Sequence, residues 1–121
     1  MKYLLILAFP LSCLLLNCDR NTYTEVQEVK ADAYLVNSLA ADGCSWHFEG
    51  IDSEKIYAAS DASQGKIDAL LRSVSSENGM YRIPVTVEYA LTGSKKAIEC
   101  GWGKKAEVDE INIYVLMTRK E

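Results

Sequence analysis

The stretch Tyr81-Arg82-Ile83-Pro84-Val85-Thr86-Val87-Glu88-Tyr89-Ala90-Leu91 decides the fold. Ile83, Val85, Val87, Tyr89 and Leu91 alternate with Arg82, Pro84, Thr86, Glu88 and Ala90. A period of two is that of a strand with one face on a core, and β-branched and aromatic residues fit that face. Pro84 donates no backbone hydrogen bond, which predicts a sheet edge or a bulge at that end. Thr92-Gly93-Ser94 signals a turn. Beyond it, Ile98, Cys100 and Trp102 share one parity, and Gly101, Gly103 and Lys104-Lys105 predict a loop. Ile111, Ile113, Val115 and Met117 form the inward face of a closing strand.

The same period recurs upstream. Val29, Ala31, Ala33 and Leu35 alternate with Lys30, Asp32 and Tyr34, and Ala41-Asp42-Gly43 turns the chain. Cys44, Trp46 and Phe48 then alternate with Ser45, His47 and Glu49, and Gly50 with Asp52-Ser53 marks another turn. Lys55–Ala59 reads as a short third strand. Between this strand and Tyr81 the period changes. Ile67, Leu70, Leu71 and Val74 fall at i, i+3, i+4 and i+7 on one helix face. Asp61 and Gln64 have capping-box spacing, and Asn78-Gly79 ends the unit.

Three strands, a helix, then two or three strands predict a mainly β domain. It would be a small OB-like barrel of five or six strands, with the helix between strands 3 and 4. The alternative is an open α+β sheet with the helix on one face. The chain has 121 residues, room for one small domain. With 13 basic and 17 acidic residues the net charge is −4, which argues against nucleic acid as a partner.

The first residues have a different composition. Lys2 precedes an apolar run, Tyr3 to Leu16, broken only by Pro10, Ser12 and Cys13. Fourteen residues are too few for a comfortable membrane span, which needs roughly 20, but they fit the apolar core of a secretory signal. Polarity begins at Cys18-Asp19-Arg20-Asn21. Leu15-Leu16-Asn17-Cys18 resembles a bacterial lipobox, with Asn17 departing from the small residue usual before the cysteine. That resemblance implies a signal peptide over 1–17, lipidation of Cys18 and a tether over 18–24, followed by the domain at 25–121. Cys13, after Ser12, is the competing lipid site. Each buried lipid CH₂ contributes about 0.8 kcal/mol, so several acyl chains anchor a small domain. Loss of Lys2 with the signal leaves 12 basic and 17 acidic residues, a net charge of −5.

A secretory signal leads to an oxidising compartment, where Cys44 and Cys100 are most simply a disulfide. Cys44-Ser45-Trp46 and Cys100-Gly101-Trp102 are both Cys-x-Trp, so each Trp would flank the bridge on its cysteine's side. Free core thiols and metal ligation with His47 are the competing readings. The metal reading suffers because His47 has the parity opposite to Cys44 in a strand. The same geometry weakens a Cys–His dyad, and a Ser–His–Asp triad would have to use His47, the one histidine, without a G-x-S-x-G elbow. His47 therefore reads as a surface residue, with no catalytic residue, metal or cofactor expected.

The remaining candidates form a binding surface. Trp102 between glycines could stack on a sugar or base, or lid the barrel core. Lys104 and Lys105 follow it, without a complete P-loop pattern. Lys95-Lys96 lies about 25 Å away along a strand, too far for one compact basic site. Glu107, Asp109 and Glu110 read as a solvated cluster and lack a calcium-loop pattern. Tyr34 and Tyr57 are candidates for an exposed aromatic surface.

From Val29 to Met117 the chain resembles a loose group of small bacterial envelope lipoproteins with OB-like domains. The resemblance is carried by Asp42-Gly43-Cys44-Ser45-Trp46, Val85-Thr86-Val87-Glu88-Tyr89, Cys100-Gly101-Trp102 and Glu110-Ile111-Asn112-Ile113. A longer helical insert around 62–76 departs from it. It implies an envelope location, lipid-anchored with the domain on the periplasmic or external side, and no established activity. The expected role is non-enzymatic: binding an envelope protein or glycan through barrel-mouth loops and Trp102. A purely structural envelope protein and a small enzyme are the alternatives.

Overall fold

A computed structural model of the chain describes residues 27–121. The signal, Cys18 and the tether expected from sequence lie outside the described residues. The elements are β1 (Val29–Asn37), β2 (His47–Gly50), β3 (Ile56–Ala59), α1 (Gln64–Leu71), β4 (Tyr81–Glu99) and β5 (Lys105–Thr118). The strands close into a barrel in the order β1-β2-β3-β5-β4. β1 lies antiparallel between β2 and β4, and β3 pairs parallel with β5. The domain is therefore mainly β, a five-stranded barrel of OB-like topology with its helix between strands 3 and 4. The open sheet is not formed: β1 pairs with β4 and β3 with β5, which closes the barrel.

Strand alternation builds the core as the sequence predicts. Ala33, Leu35, Phe48, Val85, Val87 and Ile111 are buried inside the barrel. Ile67 and Leu70 of α1 join this cluster, so the helix plugs the barrel with its apolar face. The helix is shorter than its periodicity suggests. Asp61–Ser63 is a single 3-10 turn, and Val74 packs on the core from beyond the helix end. The predicted capping box does not form. Asp61 instead pairs with Lys96 Nζ at 2.8 Å. The Ser60 and Ser63 hydroxyls serve the β5 side, where Ser60 donates to Asn112 at 2.6 Å and the Ile113 N–H donates to Ser63 at 2.7 Å.

The main departure lies at Thr92-Gly93-Ser94. The chain does not reverse there, and β4 continues as one strand of 19 residues. Leu91 opposes Ile111 and Lys95 opposes Asp109, so four steps on β4 match two on β5. The surplus is absorbed as a bulge, with Gly93 at φ 89°, a conformation glycine adopts without steric cost. A bulge bends a strand, which yields five strands rather than six. At the bend Ala90 is buried while Leu91 is 56% exposed, against its predicted inward parity.

A second register shift sits at Tyr114, the extra β5 residue between the Glu88↔Val115 and Tyr89↔Ile113 pairs. It reverses the parity beyond it. Leu116 packs on the core, whereas Met117, predicted inward, is 52% exposed. Pro84 meets its expectation: the β4–β5 ladder ends at Val85↔Thr118, and beyond it the Pro84 carbonyl accepts the Arg119 N–H at 2.8 Å.

Candidate functional site

The β1–β2 and β4–β5 loops meet at one place. Cys44 and Cys100 form an isolated antiparallel bridge, with their sulfurs at disulfide distance and their Cα atoms 3.9 Å apart. The Ser45 N–H donates to Glu99 O at 2.8 Å on one side, and the Gly101 N–H donates to Gly43 O at 2.9 Å on the other. The cysteines thus occupy a non-hydrogen-bonded pair, the position where opposed Cα atoms come closest. Beside them the loops touch. A Cβ on Gly101 would lie 2.4 Å from the Asp42 carbonyl oxygen and 2.5 Å from its Cα, so this crossing requires glycine.

Trp102 sits at the tip of the joined loops. Strand parity from Ile98 does not reach it, because β4 ends at Glu99 and the Cys100 N–H donates to Lys104 O at 2.7 Å, closing a tight turn. Trp102 takes φ 64°, in the left-handed region, and is 85% exposed. The core-lid reading is therefore overturned. The two tryptophans also do not flank the bridge alike. Trp46 packs on the core and against Tyr81, with ring centroids 4.9 Å apart. Leu39, on the facing turn, is exposed as well.

Lys104 and Lys105 are exposed and follow Trp102 after Gly103. Lys95 and Lys96 are engaged elsewhere. Lys95 pairs with Asp109 at 2.6 Å, and Lys96 donates to Ala59 O at 2.7 Å and to Asp61. Tyr34 is half-buried on the outer face of β1. The Arg82 guanidinium lies 4.1 Å from its ring centroid, and its hydroxyl donates to Glu121 at 2.5 Å. The Glu121 hydrogen bond raises the Tyr34 phenol above its ordinary pKa, with smaller contributions from desolvation and the Glu121 charge. These partners set Tyr34 apart from the Trp102 turn. Tyr57, expected at the surface, packs against the core and Tyr89, with centroids 5.3 Å apart.

His47 is not the surface residue its parity suggested, being 4% exposed. Nδ1 faces Ser45 O at 2.7 Å and Nε2 faces Glu49 Oε2 at 2.8 Å. The other Glu49 oxygen accepts from Arg82 at 3.0 Å. Burial pushes the Glu49 carboxyl up, but hydrogen bonds from His47 and Arg82 outweigh this and hold it below the usual range. Both imidazole nitrogens are thus occupied, away from Cys44, and the Cys–His metal reading has no geometry. Among the described residues no group of three His, Cys, Asp or Glu side chains is placed to hold a metal ion. Sequence reasoning missed the His47–Glu49–Arg82 chain because its members meet only across β2, β1 and β4.

The chain matches no protein-family model, no curated protein and no solved structure. The fold and the loop geometry therefore define the site by themselves: a small closed barrel whose two paired loops present one tryptophan to solvent.

Proposed function

We propose that this chain is a membrane-anchored, non-enzymatic binding module of the bacterial cell envelope, holding a glycan through the Trp102 turn. One observation carries the reading: Trp102 is 85% exposed and left-handed on a turn pinned by Cys44 and Cys100. A non-glycine residue in that region costs energy, and an exposed tryptophan leaves a large apolar ring in water. Both costs are understandable where the ring is a contact surface. In barrels of this topology the β1–β2 and β4–β5 loops are the customary binding loops, an argument by analogy of fold. A net charge of −4 favours an uncharged face such as a sugar ring over a polyanion. Lys104 and Lys105 would supply hydrogen-bond donors beside the stacked ring. The apolar segment before Cys18 supports the anchor.

The test is a saturation pull-down on insoluble peptidoglycan with the full chain and Trp102→Ala. Saturable retention lost in the variant, with an unchanged circular dichroism spectrum, supports the reading. Co-purification of one stoichiometric protein through the same turn would reassign the surface to a protein partner. Retention of neither chain would leave a purely structural role, and equal retention of both would place glycan binding away from the Trp102 turn. The mass of the membrane-extracted protein tests the anchor: a lipid-shifted chain beginning at Cys18 is expected.

A further inference from the structure

The barrel has a concavity whose lining includes no residue of α1. It opens beside the β2–β3 loop and encloses about 360 Å³. Small residues on the inner face of β1, Ala31 and Ala33, make the room. Three aromatic side chains line it, namely Phe48, Tyr57 and Tyr89. The tyrosine rings stand 5.3 Å apart at 44° to one another. Burial, and the Tyr57 hydroxyl beside it, push the Tyr89 phenol up to about 12, so it stays neutral at ordinary pH.

The rim carries charge. Asp32 and Asp52 outnumber Lys30 there, and Lys30 faces Glu88 directly across the β1–β4 ladder. Asp32 accepts from the Thr86 hydroxyl at 3.0 Å and lies 3.8 Å from Arg119. Asp52 has no ion pair among the described residues, so its carboxylate is open to a ligand. Aromatic walls with a free carboxylate at the mouth suit one chemistry. Ring faces carry negative electrostatic potential and attract organic cations, most strongly where water is displaced.

From this geometry we propose that the cavity is a binding site for a small organic ammonium group, seated against Tyr57 and Tyr89 and balanced by Asp52. The group could be carried by a soluble amine or by a lipid headgroup. The site is separate from the Trp102 turn and does not depend on what that turn binds.

Choline and its neutral carbon isostere, 3,3-dimethyl-1-butanol, test the proposal by calorimetry and NMR titration of the full chain. Choline is expected to saturate and to shift the Tyr57 and Tyr89 ring signals, with the isostere on the order of tenfold weaker. Asp52→Asn, an exposed loop change that spares the core, is expected to weaken choline about threefold. Trp102→Ala should leave choline binding unchanged, which separates this site from the glycan reading. Displacement of choline by phosphatidylcholine vesicles assigns the lipid source, and failure to displace assigns the soluble one; either upholds the site. The proposal is overturned if choline shows no saturation at concentrations on the order of 10 mM, or if the isostere binds equally well.

Discussion

Cys44 and Cys100 stand directly opposite one another between two backbone hydrogen bonds, with their Cα atoms 3.9 Å apart and a sequence separation of 56. The pair joins the β1–β2 loop to the start of the β4–β5 turn, so it closes a loop that contains most of the barrel. In the chain-entropy description, a closed loop of that length contributes about 4 kcal/mol, a large share of the 5–15 kcal/mol or so typical of a small domain. Reduction, or the double change Cys44→Ser and Cys100→Ser, should lower the unfolding midpoint in guanidinium by the equivalent of several kcal/mol. Alkylation before and after reduction checks the pairing. Alkylation of Cys44 and Cys100 themselves without reductant would exclude the bridge.

Two glycines should respond oppositely to alanine. At Gly101 the added methyl would meet the Asp42 backbone at 2.4–2.6 Å, and backbone cannot swing aside. We expect Gly101→Ala to destabilise by roughly 1–3 kcal/mol and to loosen the Trp102 turn. Gly65 lies in α1 with nothing within 4 Å of the new Cβ. Gly65→Ala should stabilise by roughly 0.5–1 kcal/mol through helix propensity and a less flexible unfolded chain. Denaturant unfolding of both variants beside the parent reads the two signs directly.

Trp102 makes a prediction in which stability and binding part. Its left-handed backbone suits glycine better than tryptophan. Trp102→Gly should therefore raise stability by about 1 kcal/mol while abolishing glycan retention. Trp102→Ala keeps the backbone cost and should change stability by less than about 0.5 kcal/mol. A loss of several kcal/mol in either variant would mean that the ring packs on the domain.

Glu49 should make stability depend on acid. His47 and Arg82 hold its carboxyl below the ordinary value against the opposing push of burial. A depressed folded-state value means that the unfolded chain takes up the proton first as pH falls. The contribution is thus complete above the ordinary glutamate value of about 4.3, and is lost as pH falls through the lower folded value. Glu49→Gln removes it, so the melting temperatures of parent and variant should differ at neutral pH and converge in acid. A gap that stays constant from neutral pH into acid would rule this out.

Much of the barrel was legible from local pattern. Period two identified Ala33, Leu35, Phe48, Ile83, Val85, Val87, Tyr89, Ile111 and Ile113 as inward, and all are buried. Helical spacing identified Ile67 and Leu70, and the order of elements predicted closure with a helix between strands 3 and 4. These properties are local because alternation and helical pitch are set by backbone geometry within a few residues.

The errors fall where a distant neighbour overrules a local signal. Thr92-Gly93-Ser94 is turn-like, yet β5 continues alongside and the residues become a bulge. Met117 has the right parity until Tyr114 adds one residue to β5 and reverses it. His47 has the parity opposite to the core face and is still buried, with Nε2 against Glu49, whose other carboxylate oxygen accepts from Arg82 of β4. Trp102 shares parity with Ile98, but the pairing of Cys100 with Cys44 and the crossing at Asp42 turn the chain before the pattern reaches it. Periodicity along the chain was enough to assign each side chain a face. Whether that face became interior, surface or site was decided by tertiary contacts, because burial depends on what strands far away in sequence bring against it.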